Sequence, residues 1–217
     1  MDMNKALEMQ QALCEAGKKM YHSGLVAGTW GNLSVRIDDE YCVVTPSGMN
    51  YDTLCADDMV IMRMRDNHTQ SKRRPTIEYA MHTGLLLSHP EVNAVVHTHS
   101  TYALAVATAG RELPPICDDQ VQILGGSVRV TPKVMPGSVE MANAVVEAMK
   151  DRAGALVLNH GGVTIGRTLD EALTASIVLE KSCQVWILTM SIGGPKLLGQ
   201  EEIDAMHDYF LNKYGQR

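Results

Sequence analysis

The sequence predicts a mixed α/β (α+β) chain, folded as a three-layer α/β/α sandwich around a central, mostly antiparallel sheet. Three observations carry this. Short β-rich runs alternate with segments of helical spacing along the chain. Several of those runs are joined by turns too short for a crossover helix, such as "DDE" after Ile37 and the Gly161-Gly162 pair, and such turns join antiparallel neighbours. The 217 residues, 45% apolar and 20% charged, suffice for one good core and read as a single domain spanning 1–217.

Residues 4–23 form an amphipathic helix that ends near Ser23-Gly24, where glycine takes the left-handed cap. "NLSVRI" (32–37) and "YCVVTPS" (41–47) follow as a hairpin, "MVIMRM" (59–64) as a third strand, and "RDNHTQSKRR" (65–74) as a polar loop. After Pro75 a helix runs over 76–89, and His89-Pro90 stops it because the residue before proline avoids helical backbone. "VNAVVHTH" (92–99) is a strand, 100–109 a helix closed by Gly110, "SVRVTP" (127–132) a strand and 138–151 a helix. "GALVLNHGGVTIG" (154–166) is a strand pair about a glycine turn. Residues 168–192 form a long helix opened by a capping box, Thr168 with Glu171, and 201–214 form the last helix.

A net charge of −6, with no long block of like charge, argues against nucleic acid as a partner. Lys72-Arg73-Arg74, the longest basic cluster, reads as a solvated loop. The N-terminus mixes acids and bases instead of carrying the apolar centre of a signal peptide. No apolar run reaches the roughly 18 residues of a membrane span. Cys14, Cys42, Cys55, Cys117 and Cys183 show no CxxC spacing, which suits free thiols in a reducing compartment and hence a cytoplasmic protein.

The chemistry concentrates in "VVHTHS". Alternate residues of a strand share a face, so an extended 94–99 turns His97 and His99 to one side and Thr98 to the other. Two imidazoles on one face need a third ligand to make a catalytic, zinc-like site with one open position. His160, which ends the apolar run "ALVLNH" just before two glycines, is the natural candidate. His22, His68, His89 and His207 lie at helix ends or in polar loops and read as surface residues. His82 falls four residues after Glu78 on one helix face, where it either joins a metal site or serves as a structural histidine. Glu78 sits at a helix start just before the HxH strand; a carboxylate there can serve as ligand and as general base. Two loops, "GTWGNLS" (28–34) and "TPSG" (45–48), offer converging N–H groups and hydroxyls, and with Thr76 beside the base they suggest a phosphate anchored near the metal.

"GTWGNLSVR", "VTPSGMNYDTL", "PTIEYAMH", "NAVVHTHS" and "NHGGVTIGRTLDEAL", in this order and spacing, resemble the class II aldolase/adducin family, closest to its L-fuculose-1-phosphate aldolases and the related L-ribulose-5-phosphate 4-epimerases. The resemblance runs from about residue 5 to the C-terminal "KYGQR". It implies a homotetramer with active sites near subunit interfaces and a phosphorylated sugar as substrate. It implies Zn2+, with Mn2+ or Co2+ as alternatives, held by His97, His99, His160 and Glu78, the last also acting as acid/base. It implies a phosphate site of Gly28, Asn32, Thr45 or Ser47, Gly48 and Thr76. The implied reaction is reversible cleavage of a ketose 1-phosphate to dihydroxyacetone phosphate and an aldehyde, through a metal-stabilised enediolate.

The chain also departs from that pattern. The fuculose aldolases carry two serines before the base where this chain has Thr76 and Ile77. They also offer a tyrosine from a neighbouring subunit, whereas "PPICDDQVQILGG" has none; Asp118, Asp119 and Gln122 are its polar groups, and Asp119 is the candidate acid. Tyr214 does match a tyrosine near the active site of those enzymes. Epimerisation at carbon 4 and decarboxylation of a phosphorylated 3-oxo acid use the same metal chemistry and stand as alternatives. A non-catalytic, adducin-like interaction module is a third reading, from another class.

Overall fold

The computed structural model describes residues 1–216. Its elements run α1 (Met3–His22), β1 (Asn32–Arg36), β2 (Tyr41–Val44), β3 (Val60–Arg63), α2 (Tyr79–Ser88), β4 (Ala94–Thr98) and α3 (Thr101–Thr108). They continue with α4 (Asp118–Leu124), α5 (Val139–Ala148), β5 (Gly154–Val157), β6 (Gly161–Gly166), α6 (Leu169–Thr189) and α7 (Gln200–Asn212). The strands form one six-stranded sheet in the order β3-β2-β1-β4-β6-β5, with every neighbouring pair antiparallel.

Both faces of the sheet are covered, as strand alternation requires. Val95, Cys42, Val44, Val163 and Ile165 pack with Leu85 and Leu86 of α2 and with Met141 and Val145 of α5. Ala94, Val96, Leu33, Val35 and Val43 point the other way, onto α1 and the start of α6. A third cluster joins α3, α4 and α6 across Leu156 of β5. The three-layer expectation is therefore met. Among the described residues no helix is long and apolar enough to cross a membrane, and the five cysteines are free thiols.

Several boundaries differ from the sequence expectation. Residues 127–132 are not a strand of the sheet; Val128 and Val130 make single bridges to Leu113 and Leu156. Pro132 has no N–H to continue the pairing. The stretch between Gly110 and Ser127, given no element from the sequence, contains α4, whose first turn carries Asp118 and Asp119 and which stops at Gly125 (φ 85°). A helix of two turns is too short for periodicity to announce itself. Helix α2 starts at Tyr79, so Thr76–Glu78 form the turn before it. The capping box at α6 is half formed: Thr168 accepts from the Glu171 N–H (3.1 Å), while the Glu171 carboxylate reaches the Arg167 N–H (2.9 Å).

Candidate active site

The site lies where β4 runs out beside β1 and β6. Asn32 pairs with His97 across β1 and β4, and Thr98 pairs with Gly162 across β4 and β6. Leu33 and Val35 face α1, so Asn32 and Ser34 alternate onto the α2 side, as His97 does with Val95. Close approach of β6 to β4 requires glycine: a Cβ on Gly161 would collide with the Thr98 carbonyl oxygen. That approach brings His160 to His97 of β4 and to His99 just past its end.

His97, His99 and His160 converge through their Nε2 atoms. His97 Nε2 lies 3.0 Å from His99 Nε2 and 3.3 Å from His160 Nε2. Ligand atoms about 2.05 Å from a tetrahedral ion stand about 3.3 Å apart, so the spacing suits a shared cation. His97 Nδ1 donates to the Gly162 carbonyl at 3.0 Å, which leaves its Nε2 lone pair facing the cluster. Burial, with the charge of His97 adding to it, pushes His99 down to about 3 and His160 to about 4. Both rings are neutral at pH 7, the form that ligates metal.

Glu78 completes the cluster. Its Oε1 lies 3.1 Å from His160 Nε2 and its Oε2 3.3 Å from His97 Nε2. Burial raises the carboxyl, yet His97, the Asn32 amide, His160 and His82 together outweigh it and hold Glu78 below the usual carboxylate range. Glu78 Oε1 is buried and makes no hydrogen bond. An orphaned carboxylate oxygen beside three lone pairs is the arrangement a divalent cation satisfies, so the residues present fit the metal the sequence implied.

The proposed phosphate residues divide. The Asn32 amide nitrogen donates to Glu78 Oε2 (2.8 Å), and its oxygen meets His82 Nε2 (2.5 Å), so this side chain is committed to the base. The Thr45 hydroxyl accepts from the Leu33 N–H (3.2 Å), and that of Thr76 accepts from the Glu78 N–H (3.3 Å). Gly28, Ser47 and Gly48 are exposed. The stretches 45–47 and 74–76 are bonded together through Thr76 N to Thr45 O and Ser47 N to Arg74 O. The glycine this loop needs is Gly31, missed by sequence reasoning: at φ 78°, its Cβ would sit 2.8 Å from the His97 carbonyl oxygen and collide with Val26. The second Gly of "GTWG" was the available signal.

Asp119 and Tyr214 lie elsewhere. Asp119 pairs with Lys181 of α6, the neighbour of Glu180, and with Tyr214 it is among the residues lining a 780 Å³ cavity that reaches His89 and Gly166, at the end of β4 and β6 away from the histidines. Glu180, also unforeseen, accepts from Tyr102 N (2.9 Å) and Ala103 N (2.8 Å), fixing the start of α3 directly after His99. It is a helix N-terminus capped from another element, which no local pattern announces. His82 is fully buried and hydrogen-bonded, the structural alternative of the two left open.

The family description "Class II Aldolase and Adducin N-terminal domain" matches residues 11–187. The chain belongs to that family. Among curated class II aldolases it is similar to the 5-deoxy-D-ribulose 1-phosphate aldolase of Bacillus thuringiensis serovar kurstaki, 35% identical over 202 residues that cover 93% of this chain and 94% of that protein. It is 28% identical to the 5-methylthioribulose-1-phosphate/5-deoxyribulose-1-phosphate aldolase of Rhodospirillum rubrum, over 94% of this chain and 91% of that one. Among solved structures, an L-fuculose 1-phosphate aldolase superposes with a TM-score of 0.90 at 29% identity, covering 94% of this chain and 96% of that one. Within the class II aldolase/adducin family the chain is thus an aldolase-type lyase.

Proposed function

We propose that the protein is a divalent-metal-dependent aldolase that reversibly cleaves a 5-deoxypentulose 1-phosphate to dihydroxyacetone phosphate and a short aldehyde. One observation carries the reading: three imidazoles and a buried carboxylate with an unsatisfied oxygen converge on one point. The two curated relatives, named for 5-deoxyribulose and 5-methylthioribulose 1-phosphates, support a substrate whose far end is apolar. His97, His99 and His160, with Glu78, would hold the metal, for which the three-nitrogen donor set favours Zn2+. Bound there, the cation supplies Lewis-acid charge where electrons accumulate as the carbon–carbon bond breaks.

In cleavage, the bond between carbons 3 and 4 breaks, the proton of the carbon-4 hydroxyl leaves as the aldehyde forms, and the electron pair stays with carbon 3. Glu78 delivers the proton that carbon 3 gains. Gly28, Ser47 and Gly48, beside Thr76, anchor the phosphate. Asp119 or Tyr214, brought by a second copy in a homotetramer, handles the proton on the aldehyde oxygen. A panel of ketose 1-phosphates assayed for dihydroxyacetone phosphate release, before and after chelation and with Zn2+, Mn2+ or Co2+ restored, tests this. Metal-dependent release from the 5-deoxy substrate is the expected result; carbon dioxide from an oxo acid with no release from any ketose would overturn it.

A further inference from the structure

Beneath the base runs a hydrogen-bond chain whose direction can be worked out atom by atom. The Asn32 amide nitrogen, which can only donate, gives its proton to Glu78 Oε2 across 2.8 Å. The Asn32 oxygen then faces His82 Nε2, at 2.5 Å, and that nitrogen must carry the proton. A neutral imidazole with its proton on Nε2 accepts at Nδ1, so Ser34 Oγ donates across 2.8 Å. All three donors therefore point toward the carboxylate, from Ser34 through His82 and Asn32. Ser34 and His82 are wholly enclosed, and Asn32 is only 7% exposed, so no water competes for these bonds. Glu78 Oε2 is tied; Oε1 is left without a hydrogen bond, 3.1 Å from His160 Nε2.

We propose that His82 is a positioning residue of the reaction: by orienting Asn32 it pins Glu78 Oε2 and leaves Oε1 as the oxygen that carries the proton. The inference rests on the aldolase reading for its kinetic consequence but not for its geometry. Sequence spacing places His82 on the helical face of Glu78, and the fold instead sets Asn32 between them. A supporting partner of this kind is worth about 10- to 100-fold in activity.

Two measurements on the full-length, metal-loaded protein test it. Ring nitrogen-15 NMR on the wild type at pH 7, with the His82 signals assigned by their loss in His82→Gln, should show a neutral ring protonated at Nε2. A ring protonated at Nδ1, or at both nitrogens, overturns the proposal whatever the enzyme's activity. Steady-state kinetics on His82→Leu should show kcat lowered about 10- to 100-fold, with KM and metal stoichiometry held near wild type. His82→Gln, whose amide can still donate to Asn32, should recover most of the loss. A folded His82→Leu with wild-type kcat, or equal losses in the Leu and Gln variants, also overturns it. Failure of the wild type to cleave any ketose 1-phosphate would instead remove the aldolase reading, with the NMR still deciding the relay.

Discussion

The two ends of the β4–β6 pair, roughly 14 Å apart along the strands, are built on opposite principles. At the histidine end, groups from β1, β4, β6 and the turn before α2 meet in a buried cluster. At the other end opens a cavity whose lining includes Tyr214, 57% exposed, and extends to Asp119, held by a surface pair to Lys181. The difference teaches that a single copy assembles the candidate metal ligands and the candidate base without help from another. Within one copy neither Asp119 nor Tyr214 is bonded to that cluster, and the proposed function therefore calls on another copy for the acid.

Removing a ligand should have the largest effect. His160→Ala is expected to lower activity to background and to abolish stoichiometric metal binding, measured by elemental analysis of protein purified without chelator. Asp119→Asn should instead keep its metal while losing about 100-fold or more in kcat, the range of general acid catalysis. Mixing the two inactive variants should restore a fraction of activity as hybrid assemblies form, since each supplies the end the other lacks. No recovery, in mixtures shown to exchange subunits, would break the comparison.

Next is the packing that holds the histidine end together. Gly161→Ala forces a methyl against the Thr98 carbonyl oxygen, and overpacking of this kind costs about 1–3 kcal/mol; urea unfolding measures it, and metal affinity should fall as well. Acid should reach the same end. Burial, assisted by the charge of His97 and opposed by Glu78, holds His82 near 3. Below about pH 6.5 the unfolded chain therefore binds a proton that the folded chain refuses. Stability is full above that pH and falls toward pH 3, by about 1.4 kcal/mol per unit from this ring alone. Unfolding midpoints of metal-free protein at pH 7 and pH 5 check the sign. The smallest effect belongs to the exposed end: Lys181→Met, breaking the surface pair with Asp119, should cost under about 1 kcal/mol.

The metal-binding chemistry was legible in the sequence because strand alternation is local: His97 and His99 had to share a face once 94–99 was extended, and two glycines after His160 announced a close approach. The sheet was legible for the same reason, through hairpin turns and alternating apolar runs. Helix α4 was hidden by its shortness, and the failed strand at 127–132 by valines that pack against Leu113 and Leu156 without entering the sheet.

What the sequence determined by itself is which residue types stand at which spacing, and hence the candidate ligand set, the candidate base and the order of the elements. Tertiary structure decided their partners: Asn32 went to Glu78 and His82, Glu180 crossed from α6 to cap α3, and Asp119 went to Lys181 of α6. Those pairings join residues dozens of positions apart. Backbone periodicity governs only near neighbours, whereas the need to satisfy every buried donor and acceptor is met through space.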